Sequence, residues 1–204
     1  MLQNWVQEFE MICVNQFIFV SFYMVMFVGF MFGGLFVAPI SDSIGRKKIL
    51  LVSLTGICVL HWMLLYQKDY HDLQYSVFFY GILLVTAIVS GVLMMTQMVS
   101  RANQAFIITQ ILVAFALASV FVTAYFRYTN YGWRFLIECA TIALILMTVT
   151  VWILTPESPK YLYDKEEYSE LDLTLRTIAK TNGKYSNNSN EEFQGATQFV
   201  RLQR

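Results

Sequence analysis

Residues Gly33 to Lys48 read GGLFVAPISDSIGRKK, and this stretch decides the class of the fold. It joins an apolar run of Phe, Met and Val to a polar segment with one carboxylate, Asp42, and three adjacent cations, Arg46, Lys47 and Lys48. A second apolar run begins at once with Ile49. Charges confined between two runs of near-bilayer length mark a turn at a membrane surface. Gly45 supplies the backbone freedom for a sharp reversal there.

Working outward, the whole chain follows the same pattern. Of its 204 residues 57% are apolar and the mean hydropathy is +0.52, high for a soluble domain. Acids and bases balance at 14 each, so no net charge or basic stripe points to nucleic acid. Five apolar segments reach or approach the about 20 residues that a helical span needs. They fall at 17–40, 49–66, 76–98, 105–126 and 135–155, the second being the shortest in expectation. The fold class is therefore all-α, a polytopic membrane helix bundle of about five transmembrane helices.

Three regions follow from this layout. Residues 1–16 carry Glu8 and Glu10 without Lys, Arg or an apolar core, so no cleavable signal peptide is expected. Residues 17–155 form the five-helix bundle. Residues 156–204 are a polar tail with an amphipathic helix at about 166–180 and a flexible stretch, NGKYSNNSNEE. Arg46, Lys47, Lys48, Arg101, Lys160 and Lys165 lie on one side; only Lys68, Arg127 and Arg134 lie on the other. The positive-inside rule then places hinge and tail in the cytoplasm, or its organellar equivalent, and the amino terminus outside. The sequon at Asn187 is accordingly read as chance. Cys13, Cys58 and Cys139 have no paired spacing and read as small packing residues.

Several motifs, taken in order, carry a family resemblance. Asp42-Ser43-Ile44-Gly45-Arg46-Lys47-Lys48 resembles the loop between spans two and three of the major facilitator superfamily. The organic-ion branch, related to the sugar porters, is the most similar. Glu8 to Asn15, EFEMICVN, resembles the segment before span two, and Gly29 and Gly33 fall where that span has glycines. Tyr131-Gly132-Trp133-Arg134 is similar to the start of span six. Pro156-Glu157-Ser158-Pro159-Lys160-Tyr161-Leu162 is similar to the PESPRWL signature after it. Ile178 to Lys184 resembles the cytoplasmic segment that follows.

The resemblance implies solute transport, with Asp42, Gly45, Arg46, Lys47, Arg101 and Glu157 as a gating charge network. Loop cations would pair with acids at other helix ends, with Glu157 and Arg101 at the matching positions. Asp42 would face a helix amino terminus in a second half. Gln110, in a small-residue span, is the candidate for a solute path, with interhelical hydrogen bonding as its other role. Gly29 and Gly33, four apart on one helix face, are read from their spacing as a packing face. Three departures weaken a latch: Ala38 where the motif usually begins with Gly, Gln97 where an acid is usual, and Val14 in place of an acid.

Matching the family's plan gives spans two to six only. The expectation is a chain incomplete by itself, partnered by membrane lipid and by a second membrane chain supplying helices or by a larger membrane assembly. A structural or accessory subunit derived from a transporter half is the alternative. Neither HExxH, GxSxG, a phosphate-cradling glycine loop nor CxxC occurs, so no enzyme activity, cofactor or metal is expected. Arg134 and Glu138, four apart, are expected to form an ion pair. His61, beside Trp62 with no second His, Cys or acid on its face, is expected to be a satisfied or interface-seeking histidine.

Overall fold

An apolar segment in a bilayer has no water to satisfy its backbone, so each run must form its own hydrogen bonds as helix. The computed structural model describes residues 16–99, 101–129 and 132–181, and no strand occurs among them. Five helices are long and apolar enough to cross a membrane: Val20–Ile44, Arg46–Tyr66, Tyr70–Met98, Ala102–Tyr128 and Trp133–Leu154. The all-α polytopic bundle is thus confirmed. The segments 1–15 and 182–204, with the readings made on Cys13, Val14, EFEMICVN and the glycine- and asparagine-rich tail, lie outside the described residues, as does Tyr131.

The helices are α1 (Gln16–Phe32), α2 (Ala38–Ile44), α3 (Arg46–Tyr66), α4 (Tyr70–Met98), α5 (Arg101–Tyr128), α6 (Trp133–Leu154), α7 (Pro159–Asp164) and α8 (Tyr168–Thr181). A π-helical turn, Gly33–Val37, joins α1 to α2 without a break in the span. Its cause is Pro39, which has no N–H to donate and whose ring would strike the carbonyl four residues back. Widening the preceding turn relieves that clash.

The helices overrun the apolar segments at most ends. The first span continues to Ile44 where it was expected to stop at 40, and the second starts at Arg46 where 49 was expected. Hence the polar hinge is a single residue, Gly45, with φ 119° and ψ 136°. A helix stops where its backbone is capped, and Gly45 caps both neighbours: its N–H donates to Ser41 O at 3.1 Å, and its carbonyl accepts from Ile49 N at 3.2 Å. Lys47 and Lys48 join the first turn of α3 because long basic side chains reach polar surroundings from helical backbone, whereas Arg46 is buried.

Packing concentrates on α4, which contacts α1 and α3, while α3 also packs on α6. Leu50, Leu54 and Met94 make a buried cluster, covered by Ala87, Met98, Leu144 and Val151. Lipid tails are as apolar as leucine, so close backbone approach and satisfied hydroxyls do the remaining work. Ser53, Thr86 and Ser90 are buried. Each donates to a carbonyl of its own helix, Ser53 to Ile49 at 2.9 Å and Thr86 to Ile82 at 2.8 Å, so none is left unsatisfied.

Beyond Thr155 a second unit begins at Pro156. Within it α7 packs on α8. Ser158 caps α7, its buried hydroxyl accepting from Tyr161 N–H at 3.5 Å, with Pro159 in the first helical turn. Asp172 and Arg176 pair at 2.9 Å along α8. Replacing Ser158 by Ala should destabilise α7 by about 1 kcal/mol. Hydrogen exchange at the Tyr161 amide would rise about fivefold, and an unchanged rate would mean that the cap contributes nothing.

Candidate functional site

Two places gather polar chemistry in the apolar bundle. The first is the hinge. Asp42 lies in the last turn of α2 and Arg46 in the first turn of α3, on either side of Gly45. Four residues of separation bring the guanidinium onto the carboxylate: Nη2 donates to Asp42 Oδ1 at 2.7 Å and Nε to the same oxygen at 3.1 Å. The two partners differ in environment. The Arg46 side chain is 9% exposed and that of Asp42 61%. Nη1 of Arg46 is enclosed and without an acceptor among the described residues, as is the hydroxyl of Ser41 one turn away. The carboxylate also sits just ahead of the amino terminus of α3, where negative charge offsets the helix dipole and the three cations in its first turn.

Of the other expected network members, Lys47 is half-buried and Lys48 exposed beside Arg46. Arg101 opens α5; its side chain, like that of Ala38, lies outside the described set. Glu157 belongs to the second unit, where a carboxylate oxygen accepts from Ser158 N–H at 3.0 Å. Gln97 is half-buried in the last turn of α4. Gln110 is exposed on α5 and lines neither of the two cavities described below.

Gly29 and Gly33 lie against α4. A Cβ on Gly29 would collide with the carbonyl oxygen of Phe78, and one on Gly81 with that of Met26. At Gly33 it would come within 2.6 Å of Ile82 O. These contacts are with backbone, so α1 and α4 touch along a seam that only glycine permits. Nothing lies within 4 Å of a Cβ on Gly34.

The second place is membrane-embedded and centres on His61. Its ring stacks on Tyr80, with centroids 5.5 Å apart and planes at 22°, and its Nδ1 lies 3.2 Å from Thr141 Oγ1. His61 and Tyr80 form part of two cavities, one of about 720 Å³ between α1, α3, α4, α5 and α6, the other of about 510 Å³ between α3, α4, α5 and α6. No single helix reveals this grouping, because Tyr80 and Thr141 belong to helices other than that of His61. The hydroxyl bond does satisfy one nitrogen, but the position between two cavities was not visible from neighbours in sequence.

Two smaller readings change. The Arg134–Glu138 ion pair does not form; the guanidinium carbon lies 5.8 Å from the centroid of the Trp133 ring, an arrangement that gains cation–π attraction at an exposed site. Cys58 is half-buried and Cys139 exposed, so only the former is packed within the chain. Among the described residues no group of three or more His, Cys, Asp or Glu could hold a metal.

Comparison with known proteins follows the same outline. The sequence profile described as Major Facilitator Superfamily matches residues 14–189. Organic cation/carnitine transporter 2 of Homo sapiens is 23% identical over 182 residues, covering 89% of this chain and 32% of the relative. Solute carrier family 22 member 2 of Rattus norvegicus is 24% identical over 179 residues, 88% of this chain and 32% of the relative. A gallate transporter of Pseudomonas putida is 23% identical over 162 residues, 78% and 35% respectively. The chain spans about a third of the length of these curated relatives.

Proposed function

Because this chain belongs to the major facilitator superfamily, matched from residue 14 to 189, we propose that it serves transmembrane transport of an organic solute. The observation that carries this reading is the coincidence of that match with five helices long and apolar enough to cross a membrane. The relatives are named as carriers of organic cations, carnitine and gallate, so small organic ions are the solutes to try first. The hinge pair Asp42–Arg46 is then a conformational element, with Lys47, Arg101 and Glu157 as the charges that could re-pair with it during gating.

Further membrane helices, from a second chain or a larger assembly, would complete the carrier. Two observations favour such company. Helix α5 is buried nowhere along its apolar window, and Nη1 of the enclosed Arg46 has no acceptor among the described residues. A structural subunit derived from a transporter half would show the same two features, so flux decides between the readings.

The test is gentle solubilisation from the native membrane, followed by reconstitution of whatever co-purifies and measurement of tetraethylammonium, carnitine and gallate uptake. Saturable uptake, lowered at least fivefold by Asp42→Asn, is the expected result. Recovery only in a large fixed-stoichiometry assembly that moves none of the three would replace transport by a structural role.

A further inference from the structure

The hydrogen bonds around His61 determine which of its nitrogens carries the proton. Thr141 Oγ1 donates its only hydrogen to the Ile137 carbonyl at 2.7 Å, so it can offer His61 nothing but a lone pair. The contact at 3.2 Å therefore requires Nδ1 to be the donor. A neutral imidazole with a proton on Nδ1 has a bare Nε2, an acceptor. That nitrogen makes no hydrogen bond to a described residue and is not among the fully enclosed polar atoms, so it meets open volume. The volume it meets is cavity space, since His61 lines both cavities.

The larger cavity narrows what could fill that volume. Its walls include the rings of Phe22, Tyr80, Phe121 and Trp133, and none of its lining residues is charged. The hydroxyl of Tyr125 is occupied, donating to Gly132 O at 3.1 Å. A bare anion would lose its hydration there without a counter-charge, and a compact, strongly hydrated cation would lose more than the ring faces return. A molecule with an acceptor directed at Nε2 would place two lone pairs face to face. What fits is a flat apolar body for the rings and one O–H for the imidazole.

We propose that the cavity between α1, α3, α4, α5 and α6 binds neutral hydroxylated aromatic molecules, the hydroxyl donating to Nε2 of His61. The ligand differs from the organic ions tried above by carrying no charge. Binding is a property of the bundle alone and is measured without flux, so its failure and the failure of the transport reading are separate results.

The test uses the full chain, with any co-purifying chains retained, in lipid nanodiscs. The probes are 4-bromo-4′-hydroxybiphenyl and its methyl ether, and the readout is bromine quenching of Trp133 emission, isolated by subtracting a Trp133→Phe sample. Quenching by the phenol should saturate with an affinity about tenfold tighter than that of the ether, the worth of one good hydrogen bond. His61→Leu should abolish the preference. Thr141→Val, nearly isosteric, frees the tautomer and should reduce the preference at least threefold. Equal quenching by phenol and ether overturns the proposal, as does a linear rise showing that the probe merely enters lipid. So does a preference that survives either substitution.

Discussion

Gly81→Leu is expected to separate α1 from α4 and to destabilise the bundle by about 3 kcal/mol, the upper end for overpacking. The reason is what the new side chain meets. Flexible side chains can rotate away, whereas the Met26 carbonyl that faces Gly81 belongs to the backbone of α1 and moves only with the helix. Gly29→Leu meets the Phe78 carbonyl and should behave alike. Gly34→Ala is the control: its new methyl enters open space, and the gain in helix propensity is about 0.5–1 kcal/mol. Thermal unfolding in mild detergent, followed by tryptophan emission, should rank Gly34→Ala at or above the native protein and both leucine variants well below it. Equal midpoints for Gly81→Leu and Gly34→Ala would mean that the seam does not hold α1 to α4.

The second large effect is asymmetric. Asp42→Ala should cost about 2–3 kcal/mol, whereas Arg46→Met should cost about 1 kcal/mol or less. Removing one member of a buried pair typically costs about 3–5 kcal/mol, because the survivor remains charged and unsolvated. Here only Arg46 is buried; Asp42 is largely exposed and, left alone, is solvated by water. The lower range for Asp42→Ala allows for that exposure. Methionine keeps most of the arginine stem's volume while removing the charge. The two single variants and the double variant, compared by thermal unfolding, would measure the coupling directly. Equal losses from the two single substitutions would show that the guanidinium and carboxylate share one environment.

These effects also show which parts of the fold are legible in sequence. Apolar runs such as 76–98 name their spans, because a bilayer leaves a helix as the sole way to satisfy the backbone. Helix ends are less legible: Tyr70, His71 and Asp72 are polar yet helical, since polar side chains do not interrupt the backbone hydrogen bonds of α4. The spacing of Gly29 and Gly33 marks a face, but Gly81, which Gly29 meets, and Ile82, which Gly33 meets, lie in another apolar run with nothing to link them to it. At the hinge, Asp42 and Arg46 are visibly four apart. Reading them as a loop hid the consequence of that spacing, which holds only if helical geometry continues to Ile44 and resumes at once at Arg46. The His61–Thr141 contact spans 80 positions and depends on α3 meeting α6, a packing choice no local pattern announces.

A one-residue joint also has mechanical consequences. Helix α3 is 21 residues long, a rigid rod of about 31 Å at about 1.5 Å per residue. A turn of about 10° at Gly45 would swing the Tyr66 end through about 5 Å, and His61, some four turns along, through about 4 Å. The Asp42–Arg46 bridge crosses the pivot at the short end of this lever, so a small movement at one membrane face becomes a large one near the other. Amplification of this kind needs no added element: a stiff rod, a glycine pivot and an ionic clasp across it are enough.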